Sequence, residues 1–144
     1  MIFETYGKLP EEARRIREEV FIDEQKFKEE FDSLDAICTH IVAFSGGVPV
    51  GTCRYYRDEE KKAYVVGRLA VRKEYRGQDI GAKLLQEAEE QTAGQGGDTL
   101  CLHAQIRVKK FYEKQGYSAA GEIEREEYCP HIWMYKKINA QRNG

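Results

Sequence analysis

The sequence has no long hydrophobic run and no marked excess of charge of either sign. Its apolar stretches fall far short of the roughly 20 residues that a membrane-spanning helix needs. The formal net charge is −2 over 144 residues, whereas a nucleic-acid surface would require a clear basic excess. The N-terminus, MIFETYGKLPEEARR, lacks the charged and then apolar layout of a signal peptide. We therefore expect a cytoplasmic protein with neither a membrane nor a nucleic acid as partner.

The sequence also has few cysteines, and none of them forms a CxxC pair. The four are Cys38, Cys53, Cys101 and Cys129. In the cytoplasm the simplest expectation is reduced thiols that pack as small apolar groups. Cys38 lies two residues from His40, and Cys129 lies two residues from His131, but two such pairs are a weak signal beside two CxxC pairs. No metal site is predicted.

The first half of the sequence predicts a helix followed by three strands. Apolar residues make up 41% and charged residues 33%, a globular mixture that fits a single domain over 1–144. Pro10 favours a first helical turn, and apolar residues recur at helical spacing to about Gln25. Residues 26–36 predict a loop or a short helix, and Ser45-Gly46-Gly47 is a hairpin signal. The strand-like runs, expected to form an antiparallel meander, are Thr39–Phe44, Val50–Arg57 and Ala63–Val71.

The second half alternates between helix and strand. A long helix is predicted over about Gly77–Gln91, with Ile80, Leu84, Leu85 and Ala88 as its buried stripe. A short helix carries Phe111 and Tyr112 and ends near Gly116. The predicted strands are Thr99–Ala104, about Tyr117–Glu122 and Tyr128–Ile138. The strand–helix–strand passage should place two strands parallel, so the fold class is α+β.

The most specific local feature is the junction between the strand that ends near Val71 and the long helix. The first turn of a helix presents unpaired N–H groups and a partial positive charge. Gly77 and Gly81 allow a ligand to approach the backbone closely, and Arg72, Lys73 and Arg76 add positive charge. This pattern favours a phosphate or pyrophosphate, although an ordinary helix start with a glycine turn fits the spacing equally well. There is no GxxxxGK[ST] and no GxGxxG after the first strand, so neither a P-loop nor a dinucleotide fold is indicated.

The junction resembles the central motif of the GCN5-related N-acetyltransferase (GNAT) family, [RQ]xxGx[GA]. The matching residues are Arg76-Gly77-Gln78-Asp79-Ile80-Gly81, preceded by the apolar trio Leu69-Ala70-Val71. A second motif of the family is matched by Phe111-Tyr112-Glu113-Lys114-Gln115-Gly116-Tyr117. The chain is similar to a small bacterial branch with ElaA and YjcF-like members. That resemblance rests on Arg17, Val20-Phe21 and Glu24-Gln25, and on Pro130-His131-Ile132 with Met134.

The resemblance implies a three-layer fold with a mixed central sheet of about six to seven strands and about four helices. The fourth and fifth strands are expected to splay apart and to receive acetyl-CoA as the acyl donor. The implied reaction is acetyl transfer to a primary amine of a small molecule or peptide. The residues implied in donor binding are Leu69, Ala70, Val71, Arg76, Gly77, Gln78, Asp79, Ile80, Gly81, Ala82, Gln105 and Tyr112.

Two positions depart from the family pattern. The first motif glycine is replaced by Asp79, which tolerates unusual φ angles but would repel a pyrophosphate if its carboxylate pointed inward. An asparagine usual at the exit of the fifth strand is matched by Gln105, which keeps the amide and lengthens its reach.

The proton-transfer roles follow from the same resemblance. Tyr112 matches the position of the acid that protonates the departing thiolate; a core aromatic beside Phe111 is the structural alternative. Glu24 and His131 are candidate bases for the amine, although a solvated glutamate and a structural histidine are the more common situations. Each of these three residues is a hypothesis for catalysis.

Three arginines have a different interpretation. Arg17, Arg54 and Arg68 are candidates for holding a substrate carboxylate, because arginine forms bidentate pairs with carboxylates. A salt bridge with one of the many acidic residues of the chain is an equally good reading. Two further alternatives stay open for the whole chain: a non-catalytic acyl-CoA sensor or partner-binding domain, and a transferase that uses a longer acyl-CoA. A homodimer through an exposed C-terminal strand is also conceivable.

Overall fold

A computed structural model describes residues 1–28 and 30–138. The strands follow one another in the hydrogen-bonded order β1-β2-β3-β4-β5-β8-β6, and β7 also pairs with β8. The chain forms two compact units. The first contains residues 1–56 and 66–88, and the second contains residues 57–65 and the chain from Glu89 onward.

The strands of the first unit include one that the sequence analysis missed. β1 (Ile2–Tyr6) pairs antiparallel with β2 (Thr39–Ser45), from Ile2 opposite Phe44 to Tyr6 opposite His40. The predicted hairpin between β2 and β3 (Val48–Asp58) is confirmed. Its turn needs left-handed backbone, which Gly46 (φ +58°) and Gly47 (φ +82°) supply without steric cost. β1 escaped detection because its sequence, IFETY, lacks a regular apolar alternation.

The first helix begins and ends almost as predicted, but its second half is a π-helix instead of an α-helix. α1 spans Glu11–Arg17, and the chain continues without a break as a π-helix over Glu18–Glu24. Pro10 precedes the helix in an extended conformation (φ −81°, ψ 159°) and is therefore its N-cap, not a residue of its first turn. Ala13, Ile16, Val20 and Phe21 are buried, as their spacing predicted.

The third strand of the predicted meander, β4 (Ala63–Val71), neighbours β3, and α2 (Ile80–Gly94) follows it. α2 starts three residues later than expected, because residues 77–79 form the turn before it. Its predicted stripe of Ile80, Leu84, Leu85 and Ala88 is buried. The helix packs closely on β3: a Cβ on Gly51 would lie only 2.9 Å from Leu84 Cδ1 and 3.2 Å from the Ala70 carbonyl oxygen, so a larger residue there would force its neighbours to shift.

In the second unit, β5 (Thr99–Gln105) is parallel to β4, as predicted, with Tyr64 opposite Leu100 and Val65 opposite Cys101. A 3₁₀ turn over Ile106–Val108 leads into α3 (Lys109–Lys114).

The end of the described chain differs from the prediction. The strand expected over Tyr117–Glu122 is reduced to β6 (Ser118–Ala119), and an unpredicted strand, β7 (Glu124–Glu126), follows. β8 (Cys129–Lys137) pairs with β5 on one side and with β6 and β7 on the other. β8 is therefore paired along part of both edges, whereas an exposed C-terminal strand was expected; the possible homodimer stays a prediction.

The fold class is confirmed as α+β with a mixed sheet. Eight strands are described where about six to seven were expected; β1 and β7 were not among the predicted strands. Among the described residues there are three α-helices, α1, α2 and α3, where about four helices were expected. No helix within residues 1–28 and 30–138 is long and apolar enough to cross a membrane.

Candidate functional site

The backbone of the β4–α2 junction has the shape that a close ligand contact requires. After a 3₁₀ turn over Lys73–Tyr75, Gly77 (φ +85°) and Asp79 (φ +63°) both adopt left-handed conformations. The N–H of Lys83 donates to the Asp79 carbonyl over 3.0 Å, the first hydrogen bond of the helix. Asp79 is exposed and occupies the backbone position that favours glycine, which aspartate tolerates better than most residues. The second motif glycine, Gly81, and Ala82 lie in the first turn of α2.

The apolar trio Leu69–Val71 ends β4 just before this junction. Ala70 is buried, whereas Leu69 and Val71 are partly exposed. The N–H of Arg72 donates to the Val50 carbonyl of β3 over 2.9 Å, and Arg76 Nε donates to the Val71 carbonyl over 2.9 Å. The trio is thus tied to β3 and to the junction within the first unit.

The two arginines of the junction are paired with the π-helix. Arg76 donates two hydrogen bonds to Glu24, to Oε1 over 2.7 Å and to Oε2 over 3.1 Å. Arg72 Nε lies 3.2 Å from Glu19 Oε2. Hydrogen bonds of a π-helix join residues five apart, so the π winding places Glu19 and Glu24 on the same side. The candidate base Glu24 is therefore brought to the predicted donor site, as the ion-pair partner of Arg76.

The three arginines considered for a substrate carboxylate converge on the segment 30–35. Arg17 is 1% exposed; its Nε donates to Glu30 Oε2 over 2.6 Å and its Nη1 to Asp35 Oδ1 over 2.8 Å. Arg54 is 4% exposed and donates to Asp32 Oδ1 over 2.7 Å and to Asp35 Oδ1 over 2.8 Å. We call this group the arginine network; its members are Arg17, Arg54, Arg68, Glu30, Asp32 and Asp35.

Arg68 completes the network from β4. Its guanidinium donates twice to the Glu30 carbonyl, over 3.0 and 3.2 Å, and its Nη2 lies 3.3 Å from Asp32 Oδ2. The salt-bridge reading is therefore the one the structure supports. All three guanidinium groups bind carboxylates of the chain itself, which is the alternative that the sequence left open for them.

The network shifts the pKa values of its acids in different directions. Burial opposes ionisation of Asp35, but hydrogen bonds from Arg17 and Arg54 outweigh it and lower the pKa of Asp35 to about 2. A hydrogen bond from Arg54 likewise lowers the pKa of Asp32. Burial raises the pKa of Glu30 despite the arginines around it.

One backbone feature of the network was not foreseen. Arg68 has a φ of +49° in the middle of β4. A residue with a Cβ held in the left-handed region costs on the order of 1–3 kcal/mol and persists only where its surroundings hold it. The sequence offers no signal for this bend, since the flexible residue next to it, Gly67, is not the one with positive φ.

The remaining predicted site residues belong to the second unit. Tyr112 lies on α3, partly buried, with its ring centroid 5.0 Å from that of Phe111 and 6.2 Å from that of Tyr117. Gln105 ends β5, and its Oε1 accepts a hydrogen bond from Arg107 Nε over 2.9 Å. The register places Gln105 directly opposite His131, so these two are brought together.

The candidate base His131 is 5% exposed and has a defined tautomer. Its Nδ1 lies 3.0 Å from the Cys129 carbonyl. A carbonyl can only accept, so Nδ1 carries the proton and Nε2 keeps the lone pair in the neutral ring. Nε2 lies 3.9 Å from Glu126 Oε1.

His103 is a neighbour of His131 that the sequence analysis missed. Its ring centroid lies 5.0 Å from that of His131 and 4.7 Å from that of Trp133, against which it stacks. Its Nδ1 contacts Glu126, and its Nε2 lies 3.2 Å from Glu124 Oε1. Strand alternation, which puts His103 on the same face of β5 as Gln105, was the available signal.

Among the described residues, no three histidine, cysteine, aspartate or glutamate side chains are grouped so that they could hold a metal ion. All four cysteines are buried, and burial raises the pKa of the Cys38 and Cys101 thiols to about 11. Buried thiols with a raised pKa are typical of cysteines that pack in the core, and a reactive cysteine would be partly exposed with a lowered pKa.

Comparison with known proteins agrees with this architecture. The family described as "Acetyltransferase (GNAT) domain" matches residues 8–138. The uncharacterized N-acetyltransferase YjcF of Bacillus subtilis (strain 168) is 34% identical over 129 residues, which cover 87% of this chain and 90% of YjcF. The crystal structure of Escherichia coli ElaA superposes with a TM-score of 0.82 at 23% identity, covering 94% of this chain and 99% of ElaA.

An aminoglycoside 6′-N-acetyltransferase, solved in complex with coenzyme A, has the same fold. It superposes with a TM-score of 0.75 at 17% identity and covers 99% of this chain and 100% of its own. Together with the family match over residues 8–138, the β4–α2 junction identifies the chain, which belongs to the GNAT family and is an N-acyltransferase of that family.

Proposed function

We propose that the protein transfers the acetyl group of acetyl-CoA to a primary amine of a small molecule or peptide. The amine nitrogen attacks the thioester carbonyl carbon directly and forms a tetrahedral intermediate. The C–N bond forms, the C–S bond breaks, and coenzyme A leaves as a thiolate that takes up a proton. The amine nitrogen loses one proton to a base.

The observation that carries the proposal is the β4–α2 junction. Gly77 and Asp79 turn the backbone through left-handed conformations, exposed and directly before the first turn of α2. A helix N-terminus with close backbone access suits a pyrophosphate. The junction therefore fits the donor's anionic part, with the N–H groups of residues 77–82 as donors and Arg76 beside them.

Donor binding extends from the junction into β4. In the proposed arrangement, Leu69–Val71 offers strand-type hydrogen bonds to the amide groups of the pantetheine arm. An N–H of β4 polarises the thioester carbonyl, which stabilises the negative oxygen of the intermediate. The relative solved with coenzyme A supports a CoA-based donor; the acetyl group itself is part of the proposal.

Tyr112 is proposed as the acid that protonates the thiolate, because it holds the family's acid position and carries an ionisable hydroxyl on α3. Two residues are candidates for the base. His131 Nδ1 faces the Cys129 carbonyl, so in a neutral ring the lone pair lies on Nε2, and Glu24 lies beside Arg76. An alkylamine has a pKa of about 10, so a base or a water path to one is needed at neutral pH.

The acceptor is proposed to need no carboxylate for recognition. The guanidinium groups of Arg17 and Arg54 are buried and already share three carboxylates with Arg68. A substrate carboxylate would have to displace one of these internal partners. Amines without an adjacent carboxylate are therefore the preferred class, which leaves amino-alkyl groups of small molecules and peptide side chains.

The test is release of coenzyme A thiol from acetyl-CoA in the presence of a panel of amines, with and without α-carboxylates. Tyr112→Phe should lower turnover by about 10²-fold or more, with little change in the affinity for coenzyme A. Tyr128→Phe, at an exposed tyrosine of the same unit, is the matched control. Equal turnover of Tyr112→Phe and wild type would remove the acid role.

A non-catalytic acyl-CoA sensor is the second candidate. The observation that favours it is the pairing of Glu24, a candidate base, with Arg76. A sensor would bind coenzyme A and release no thiol with any amine of the panel. Turnover of a single amine, lost in Tyr112→Phe, would decide for the transferase.

A further inference from the structure

The bend at Arg68 requires an explanation that the proposed reaction does not supply. A φ of +49° in the middle of a strand is rare for a residue with a side chain. Such conformations persist where the surrounding structure over-determines them, and they cluster at functional sites. The residue that follows is Leu69, the first of the trio that the proposed function gives to the donor.

The side chain of Arg68 is held by several hydrogen bonds and ion pairs to the segment 30–35. It makes two hydrogen bonds to the Glu30 carbonyl, and its Nε lies 3.1 Å from Glu30 Oε2. Its Nη2 lies 3.3 Å from Asp32 Oδ2. These contacts engage Nε and Nη2 together, so one edge of the guanidinium is held in a defined position.

The partners of Arg68 are themselves anchored by other arginines; Glu30 is buried, and Asp32 is at an exposed position. Glu30, 4% exposed, is held by Arg17 of α1 over 2.6 Å. Asp32 receives two hydrogen bonds from Arg54 of β3, over 2.7 and 3.1 Å. The arginine network thus joins α1, the segment 30–35, β3 and the bend in β4, with three positive and three negative groups in balance.

We propose that Arg68 is a positioning residue: its anchored guanidinium holds the left-handed bend of β4 and thereby sets the direction of the Leu69–Val71 backbone toward the acyl donor. A single residue in the left-handed region reorients the peptide groups that follow it. The network therefore acts on the donor through the backbone and makes no contact with it. This inference rests on the proposed function for the identity of the donor, and on the geometry alone for the anchoring.

The anchoring is tested without any ligand, by amide hydrogen exchange in a fragment that covers residues 66–72. The variants are Arg68→Ala, Arg68→Asn and Asp32→Asn; the control is Arg15→Ala, which loses an exposed ion pair with Glu11. Asparagine tolerates positive φ but has no guanidinium, so it separates the backbone preference from the anchor. All proteins are compared at a temperature where circular dichroism shows them folded.

The expected result is exchange of Leu69–Val71 that is about tenfold faster in all three variants. Exchange of the buried part of α2 should stay as in wild type, and Arg15→Ala should change neither region. Wild-type exchange at 69–71 in Arg68→Asn would overturn the proposal, because the anchor would then be dispensable. Wild-type exchange in Asp32→Asn and Arg68→Ala would overturn it as well. If Arg68→Ala does not fold, Arg68→Asn and Asp32→Asn decide.

Binding of coenzyme A, measured by calorimetry, separates this proposal from the proposed function. If Arg68 positions the Leu69–Val71 backbone, the Kd of coenzyme A should be about tenfold higher in Arg68→Asn than in wild type. The KM for the donor should rise as well, with little change in the KM for the amine. A Kd equal to that of wild type, with faster exchange at 69–71, would overturn the link to the donor. Failure of the wild-type protein to bind coenzyme A would contradict the proposed function, and the exchange data would then decide the anchoring alone.

Discussion

Two groups of arginines in the first unit make the same chemical contact in different surroundings. In the arginine network, Arg17 and Arg54 are almost fully buried, and the carboxylate of Asp35 is shared between them. At the β4–α2 junction, Arg76 has 43% of its side chain exposed and pairs with a single carboxylate, Glu24. Both groups consist of arginine–carboxylate pairs at hydrogen-bonding distance.

The difference in burial decides what each group can do. A buried pair cannot exchange its partner without leaving an unpaired charge in the interior, which is strongly unfavourable. An exposed pair is worth little, since water and salt compete for both ions. The arginine network is therefore suited to holding backbone in place, whereas the exposed Arg76–Glu24 pair is suited to exchange with the phosphate of the proposed donor.

The largest expected effect comes from removing a buried member. Arg17→Met should lower the free energy of unfolding by about 3–5 kcal/mol, because Glu30 and Asp35 each lose one of the two arginines that they contact inside the protein. Chemical denaturation followed by circular dichroism measures it. Arg15→Met breaks an exposed pair with Glu11 and should cost less than about 1 kcal/mol. Similar losses in the two variants would show that burial does not distinguish the arginines.

The acid dependence of stability should come from the arginine network as well. The pKa of Asp35 is lowered to about 2, so its contribution is present above the unfolded pKa of about 3.9 and is lost as the pH falls toward 2. The stability difference between wild type and Asp35→Asn should shrink by about 2 kcal/mol between pH 6 and pH 2. Asp23→Asn, at an exposed position, should follow wild type. A constant difference for Asp35→Asn would contradict the expected linkage.

At the junction the expected effect is on ligand binding and not on stability. Arg76→Ala should raise the Kd of coenzyme A about tenfold, since a charge-assisted contact to phosphate is lost. Its free energy of unfolding should change by less than about 1 kcal/mol because the pair with Glu24 is exposed. Calorimetry and denaturation measure the two quantities on the same sample. An unchanged Kd with a large loss of stability would mean that Arg76, like the arginine network, stabilises the fold and does not bind the donor.

The smallest effect is expected from the acidic partner. Glu24→Gln keeps the size of the side chain and removes the charge that competes for Arg76, so the Kd of coenzyme A should fall about threefold at low salt. The gain should shrink at high ionic strength. Glu18→Gln, at an exposed position of the same π-helix, serves as the control. A Kd that rises in Glu24→Gln would mean that the pair orients Arg76 for the donor. A loss of turnover with tighter binding would favour Glu24 as the base.

The order of elements and the junction were largely predictable, because both depend on short patterns. Helical periodicity located α1 with its π extension and α2, and the glycine turn located the β2–β3 hairpin. The errors fell on strands without a periodic pattern. β1 and β7 are held in the sheet by pairing with β2 and β8, and their own residues carry no signal for it.

The partners of the charged residues could not be predicted. The chain has 23 basic and 25 acidic residues, so every arginine has many candidate acids, and those that the site arginines meet lie far away in sequence. Arg17 meets residues 13 and 18 positions on, and Arg76 meets Glu24 across 52 positions. His103 was overlooked for the same reason, since its acids come from β7, a strand that was itself missed.

The sequence by itself determined the family, the fold class and the donor-side motif, because these follow from residue types at fixed short spacings. The tertiary structure alone decided that Arg17, Arg54 and Arg68 are bound to Glu30, Asp32 and Asp35, and that Glu24 is bound to Arg76. It alone placed a left-handed bend at Arg68. Contacts between distant residues and their burial arise only when the chain packs, and burial is what makes one ion pair permanent and another exchangeable.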